Sequence, residues 1–185
     1  MLSDIQQDAT QRMEKAIQAL RRDLGTLRAG RATPSLLDKI TIEYYGSEMP
    51  LNQVANISTP EPRLLVVQPW DKSILGDIER AILKSDLGLT PNNDGNLIRI
   101  NIPALTEERR TELVKVAKKT GEETKVAIRN IRRDANDEIK KLEKKGDLSE
   151  DDARRGQDEI QKLTDRFIQE TDQHVETKEK EIMEV

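Results

Sequence analysis

The chain has no cysteine in 185 residues. That excludes disulfides, thiolate zinc sites and thiol nucleophiles, and it fits a reducing cytosol. Aromatic residues make up only 2%, too few for a thick sheet core of packed rings or for a nucleic-acid surface built on base stacking. Histidine occurs once, at His174, without a second histidine to share a metal or a proton relay. No apolar run could span a membrane, and MLSDIQQDATQRMEK at the start lacks the apolar stretch of a signal peptide. The GxxxxGK[ST] phosphate loop, a GxGxxG after a strand and the GxSxG elbow are all missing. No catalytic residue, metal ligand set or cofactor site is expected. The chain reads as a binding protein.

Charge is abundant, at 36% of residues with a net −4, which argues against indiscriminate nucleic-acid binding. It is unevenly spread. The net is +1 over 1–30, −2 over 31–104, +4 over 105–146 and −7 over 147–185. The basic stretch reads as one long helix. Leu113, Ala117, Thr120, Thr124, Ile128, Ile131, Ala135, Ile139 and Leu142 step by threes and fours along one stripe. Lys115, Lys118, Glu122, Lys125, Arg129, Arg132, Arg133, Asn136 and Lys140 form a second stripe, centred roughly 130° around the helix and about 38 Å long. Most charged stripes are solvated faces of mixed sign. Here one acid stands against seven bases, and Arg129, Arg132 and Arg133 form a tight guanidinium cluster of the kind that suits phosphate oxygens. The acidic final segment would repel phosphates on one side and orient a polyanion onto the other.

Two further helices are expected. Leu2, Ile5, Ala9, Met13, Ile17, Leu20, Leu24 and Leu27 keep helical spacing up to Gly30, with Ser3 or Asp4 as cap. Ala153, Gly156, Ile160, Leu163, Phe167, Thr171, Val175 and Ile182 repeat the pattern after a Ser149 cap. Helices over 3–29, 107–144 and 150–183 each carry one apolar stripe, and three such stripes make a bundle. Between them, residues 31–104 change period. Ile40, Ile42 and Tyr44 alternate; 51–59, 63–68 and 97–102 also read as strands; Asp71 caps a short helix facing inward through Ile74, Ile78 and Ile82. PNNDGN at 91–96 reads as a turn, since it lacks the later glutamate of a calcium loop. Trp70 reads as a core or domain-edge anchor, and Glu150-Asp151-Asp152 as acids favoured by a helix start rather than a metal site. The expected fold is α+β: an elongated three-helix bundle from 1–30 and 105–185, with a small β/α/β domain, 31–104, inserted. The two short crossings, near 30–34 and 103–105, allow one domain to rotate on the other.

Several blocks also carry a resemblance. RAGRATPSLLDKI (28–40), YYG (44–46), DLGLTPNNDGNLIRINIP (86–103), LTEERR (105–110), VAIRNIRRDANDEIKK (126–141) and SEDDARRGQDEIQKLTD (149–165) resemble the ribosome recycling factor family in order along the whole chain. The resemblance implies an L-shaped, tRNA-sized two-domain molecule of the bacterial cytoplasm, a monomer with no membrane partner. Such a molecule works with elongation factor G and that partner's GTP hydrolysis. It splits the post-termination ribosome into subunits, freeing mRNA and deacylated tRNA. It also implies that Arg129 and Arg132, with Arg133, Lys125, Arg28 and Arg31, contact large-subunit ribosomal RNA. The family hinge falls on Gly30, Arg31, Thr33 and Pro34 and on Pro103, Ala104 and Leu105. Two other classes make different demands on the sequence. A coiled-coil chaperone or exchange factor acting on a protein would need an exposed apolar seam; an enzyme sited in the small domain would need paired acids or a histidine there.

Overall fold

A computed structural model describes residues 1–27 and 30–184. The described chain divides into two compact units, Met1–Ala29 with Glu107–Glu184, and Gly30–Thr106.

The first unit is three helices, α1 (Leu2–Gly25), α4 (Glu107–Lys144) and α5 (Glu150–Met183). Each buries most of the stripe its sequence spacing lays down, with Met13, Leu20, Ile128, Ile139, Ile160 and Phe167 among the most enclosed side chains. The connection from α4 to α5 is built by Gly146 at φ 81. Asp147 N–H donates to the Leu142 carbonyl at 2.9 Å and Gly146 N–H to Glu143 at 3.0 Å, the paired closure that ends a helix on a left-handed glycine. Ser149 then caps α5, its hydroxyl accepting from Asp152 N–H at 3.1 Å.

Two expectations about α1 fail. Its N-cap is Met1, with no side-chain bond, so Ser3 and Asp4 lie inside the first turn. It also ends at Gly25 rather than running to 29. Thr26 turns its hydroxyl back onto the Asp23 carbonyl at 2.6 Å, and the Thr26 and Leu27 N–H groups bond three residues back. That tightened turn competes with continuation of the helix.

Two glycines set how closely the bundle packs. A Cβ at Gly121 would lie 2.6 Å from Val175 Cγ2, and one at Gly156 would lie 2.7 Å from Leu2 Cδ2. Val175 is branched at Cβ and stiff, whereas Leu2 Cδ2 is the far end of a longer, more flexible side chain. Gly121→Ala should therefore destabilise the protein by about 1–3 kcal/mol through overpacking. Gly156→Ala should be neutral or stabilise by up to about 1 kcal/mol through helix propensity. Urea unfolding of the two variants checks the contrast; equal effects would refute it.

The second unit has its own core, including Leu37, Leu51, Leu65, Ile78, Ile98 and Ile100. Strands β3 (Ala55–Glu61), β4 (Leu64–Pro69), β5 (Pro91–Asn93) and β6 (Ile98–Asn101) form an antiparallel sheet in the order β3-β4-β6-β5. Helix α3 (Leu75–Lys84) buries Leu75, Ile78 and Ile82. A separate hairpin joins β1 (Thr41–Tyr44) and β2 (Ser47–Pro50). Residues Leu51–Val54, expected to begin a strand, form one helical turn, α2, because Leu51 and Val54 both reach the core at helical spacing. Pro91–Asn93, expected in a turn, pairs with Ile98–Ile100 as an edge strand, a position that tolerates proline. The turn proper is narrower. Asp94 Oδ1 accepts from Asn96 and Leu97 N–H, each at 2.9 Å, and Oδ2 from Arg99 at 2.7 Å; these donors, the backbone N–H groups first, hold the Asp94 carboxyl below its ordinary range. Trp70, expected as an anchor, is 70% exposed.

The β1–β2 turn carries Tyr45 at φ 51 and Gly46 at φ 81, the sign pattern of a two-residue type I′ hairpin. Asparagine or glycine fits the first position more cheaply; a tyrosine there costs about 1–2 kcal/mol.

Candidate nucleic-acid interface

The basic stripe of α4 separates into two stretches of different character. Arg129 and Arg133 are exposed, and neither has a carboxylate partner among the described residues. Arg132 is half-buried and donates Nη1 to the Gln161 side-chain carbonyl of α5 at 3.3 Å. Gln161 in turn donates to Asp165 at 2.8 Å. A neutral amide orients the Arg132 guanidinium without cancelling its charge. Sequence reasoning missed Gln161, because only the register of α5 against α4 brings the two together.

Lys125 is placed differently. Its side chain is only 16% exposed, and its ammonium is ion-paired with Asp172 on α5 and lies 3.4 Å from Glu122. The Asp172 hydrogen bond raises the Lys125 pKa above its ordinary value, against the opposing effect of burial. The raised folded-state pKa means the pair contributes stability fully present below the unfolded lysine value and lost as pH rises through the folded one. Lys125→Met should cost about 1 kcal/mol near neutral pH. The difference from wild type should shrink at pH above the folded value, as denaturant midpoints at the two pH values will show. Unlike Arg129 and Arg133, Lys125 already spends its charge within the protein.

Of the remaining candidates, Arg28 lies outside the described residues, and Arg31 is exposed in the second unit. The two crossing segments lie side by side within that unit. Gly30 has φ 75, which favours glycine, and a Cβ there would sit 3.2 Å from Leu105 Cγ, a tight contact. Thr33 is extended ahead of Pro34, which opens a 3-10 turn to Leu37. Ala32 N–H donates to the Pro62 carbonyl at 2.7 Å and Ile102 N–H to Arg63 at 2.8 Å. Both segments are thus tied to the β3–β4 turn, while Pro103 and Ala104 are exposed and Leu105 is half-buried.

His174 is partly exposed, its Nε2 3.7 Å from Glu170. No group of three or more potential ligand side chains gathers among the described residues. No described helix is long and apolar enough to cross a membrane. The exposed large apolar residues of the three helices, Met1, Val116, Val126 and Met183, do not repeat at the spacing of a seam.

Comparison with known proteins decides the family. The sequence profile described as Ribosome recycling factor matches residues 20–183. This chain belongs to that family. It is 64% identical to the ribosome-recycling factor of Halalkalibacterium halodurans and 60% identical to that of Bacillus subtilis, in each case over 100% of both chains. Among solved structures it is similar to a solution structure of the ribosome recycling factor, with a TM-score of 0.76 and 43% identity, covering 100% of this chain and 98% of that one. It is also similar to the T. thermophilus ribosome recycling factor placed with E. coli elongation factor G on the E. coli post-termination complex. There the TM-score is 0.63 and the identity 50%, over 100% of both chains. The helix-rich α+β architecture is that of the ribosome recycling factors.

Proposed function

We propose that this chain acts in the bacterial cytoplasm, as a monomer, to recycle ribosomes after termination. With elongation factor G and GTP hydrolysis by that partner, it separates the subunits and frees mRNA and deacylated tRNA. The bundle holds large-subunit ribosomal RNA through Arg129, Arg132 and Arg133, with Lys125, Arg28 and Arg31 as secondary contacts. The segments 30–34 and 103–105 are the hinge about which the inserted unit moves. The chain contributes position and leverage and takes no part in bond chemistry.

The observation that carries the RNA assignment is the pair of exposed, carboxylate-free arginines, Arg129 and Arg133, flanking an Arg132 held by an uncharged amide. An unpaired guanidinium loses no internal partner when it meets a phosphate, and the bond it forms is charge-assisted. Arg132→Ala should weaken binding to large subunits by about 1–3 kcal/mol and reduce the salt slope by about one unit. Sedimentation with large subunits over a salt series measures both. Unchanged binding in folded Arg129→Ala/Arg132→Ala would defeat the assignment.

A further inference from the structure

The β1–β2 hairpin departs from local preference in two ways, and each departure leaves a group facing solvent. Tyr45 takes a left-handed conformation that asparagine or glycine would fill without strain, yet its side chain is 87% exposed. Glu43 stands directly opposite Glu48 across the hairpin, a like-charge pairing that weakens a sheet. Neither carboxylate has a hydrogen bond or ion pair among the described residues. Exposed Trp70 follows β4 and immediately precedes Asp71, which accepts the Tyr44 hydroxyl at 3.1 Å. Tyr44 therefore braces the tip, its ring edge-on to Tyr45 at 4.5 Å between centroids, and ties it to the end of β4. A chain with four aromatic side chains buries Phe167 and leaves two of the other three on one unit's surface. Strain, like-charge repulsion and an exposed ring, kept together without a folding gain, indicate a surface shaped for a partner.

We propose that this hairpin docks an arginine- or lysine-bearing segment of a protein, the cation seated between the Glu43 and Glu48 carboxylates and against the Tyr45 ring. A cation there relieves the repulsion between the two acids and is attracted to the ring. Tyrosine and tryptophan are residue types on which protein interfaces concentrate their binding energy. RNA is the weaker fit, because both carboxylates repel phosphate. The proposed recycling role enters only in choosing the assembly to test.

A benzophenone-bearing phenylalanine replacing Tyr45 should cross-link, in complexes of purified ribosomes with elongation factor G and GTP, to a protein peptide containing arginine or lysine. Reversing the acids with Glu43→Lys/Glu48→Lys should lower that yield by about tenfold. A cross-link to RNA alone, none at all, or a yield unmoved by the reversal overturns the proposal. A second variant removes folding as an explanation. Tyr45→Asn should leave thermal stability equal or higher, since Asn-Gly suits this turn, and large-subunit binding unchanged, while subunit splitting slows about tenfold. Tyr45→Phe should split normally. Wild-type splitting by Tyr45→Asn would sink the idea. If the wild-type protein itself does not bind ribosomes, the recycling reading fails separately. The hairpin is then decided by titrating the free protein with a hexa-arginine peptide. Amide shifts at Tyr45 and Gly46 support docking, and their absence refutes it.

Discussion

Excising residues 31–104 and joining Gly30 to Leu105 through a short glycine–serine linker should leave large-subunit binding intact and reduce subunit splitting to background. The geometry favours the excision, because Gly30 and Leu105 are already neighbours and a short linker spans the gap between them. All three buried stripes remain, as does the carboxylate-free arginine cluster. What goes is the unit proposed to move about the hinge, and with it the surface on which elongation factor G would act. Binding by sedimentation and splitting by light scattering, measured on the same preparation, test the two halves of the proposal separately. A folded shortened protein that cannot bind would take the RNA site away from the bundle. One that still splits ribosomes would remove the inserted unit from the mechanism.

Phe167→Ala should destabilise the bundle by about 3–5 kcal/mol. Its ring is the only aromatic one in the three helices, and it is 2% exposed, with the Arg166 guanidinium 4.8 Å over its face. No neighbouring ring can swing in to fill the space, and a loss of that size is a large share of the roughly 5–15 kcal/mol that a domain possesses. The second unit has a separate core, so amides of β4 and β6 should keep their hydrogen-exchange protection while those of α4 and α5 lose theirs. Parallel loss in both units would show that they unfold as one.

The bundle was legible because its apolar residues recur at helical spacing and each helix has one side to bury. Its errors fall where tertiary contact overrides period. Thr120 was expected inward, but the neighbouring Gly121 is the buried residue, since only a glycine admits Val175 so closely. Leu163 is half-buried while Thr164 is fully enclosed, its hydroxyl satisfied by the Ile160 carbonyl at 2.7 Å. Hydropathy counts such a threonine as polar and misplaces it. In the small unit, α2 and β5 are four and three residues long, shorter than any period can announce. Trp70 misled by its type, because a large apolar side chain is usually covered. At the candidate interface the arginine cluster was visible in sequence. The neutralisation of Lys125 by Asp172 was not, since it depends on which residues of α5 lie beside α4.

The discontinuity of the bundle also governs the order in which a nascent chain can fold. Helix α1 is synthesised first, but α4 and α5, the surfaces that cover its stripe, come only after the whole of the second unit. At about 5–20 residues per second, α1 waits on the order of ten seconds with Met13 and Leu20 unshielded. Meanwhile the second unit, whose core runs from Ala32 to Ile100, has all its parts and can close on its own. Folding can therefore begin in the second unit, and the three-helix unit is completed only after α5 has been made. During that interval, α1 is the segment most exposed to chaperones and proteases.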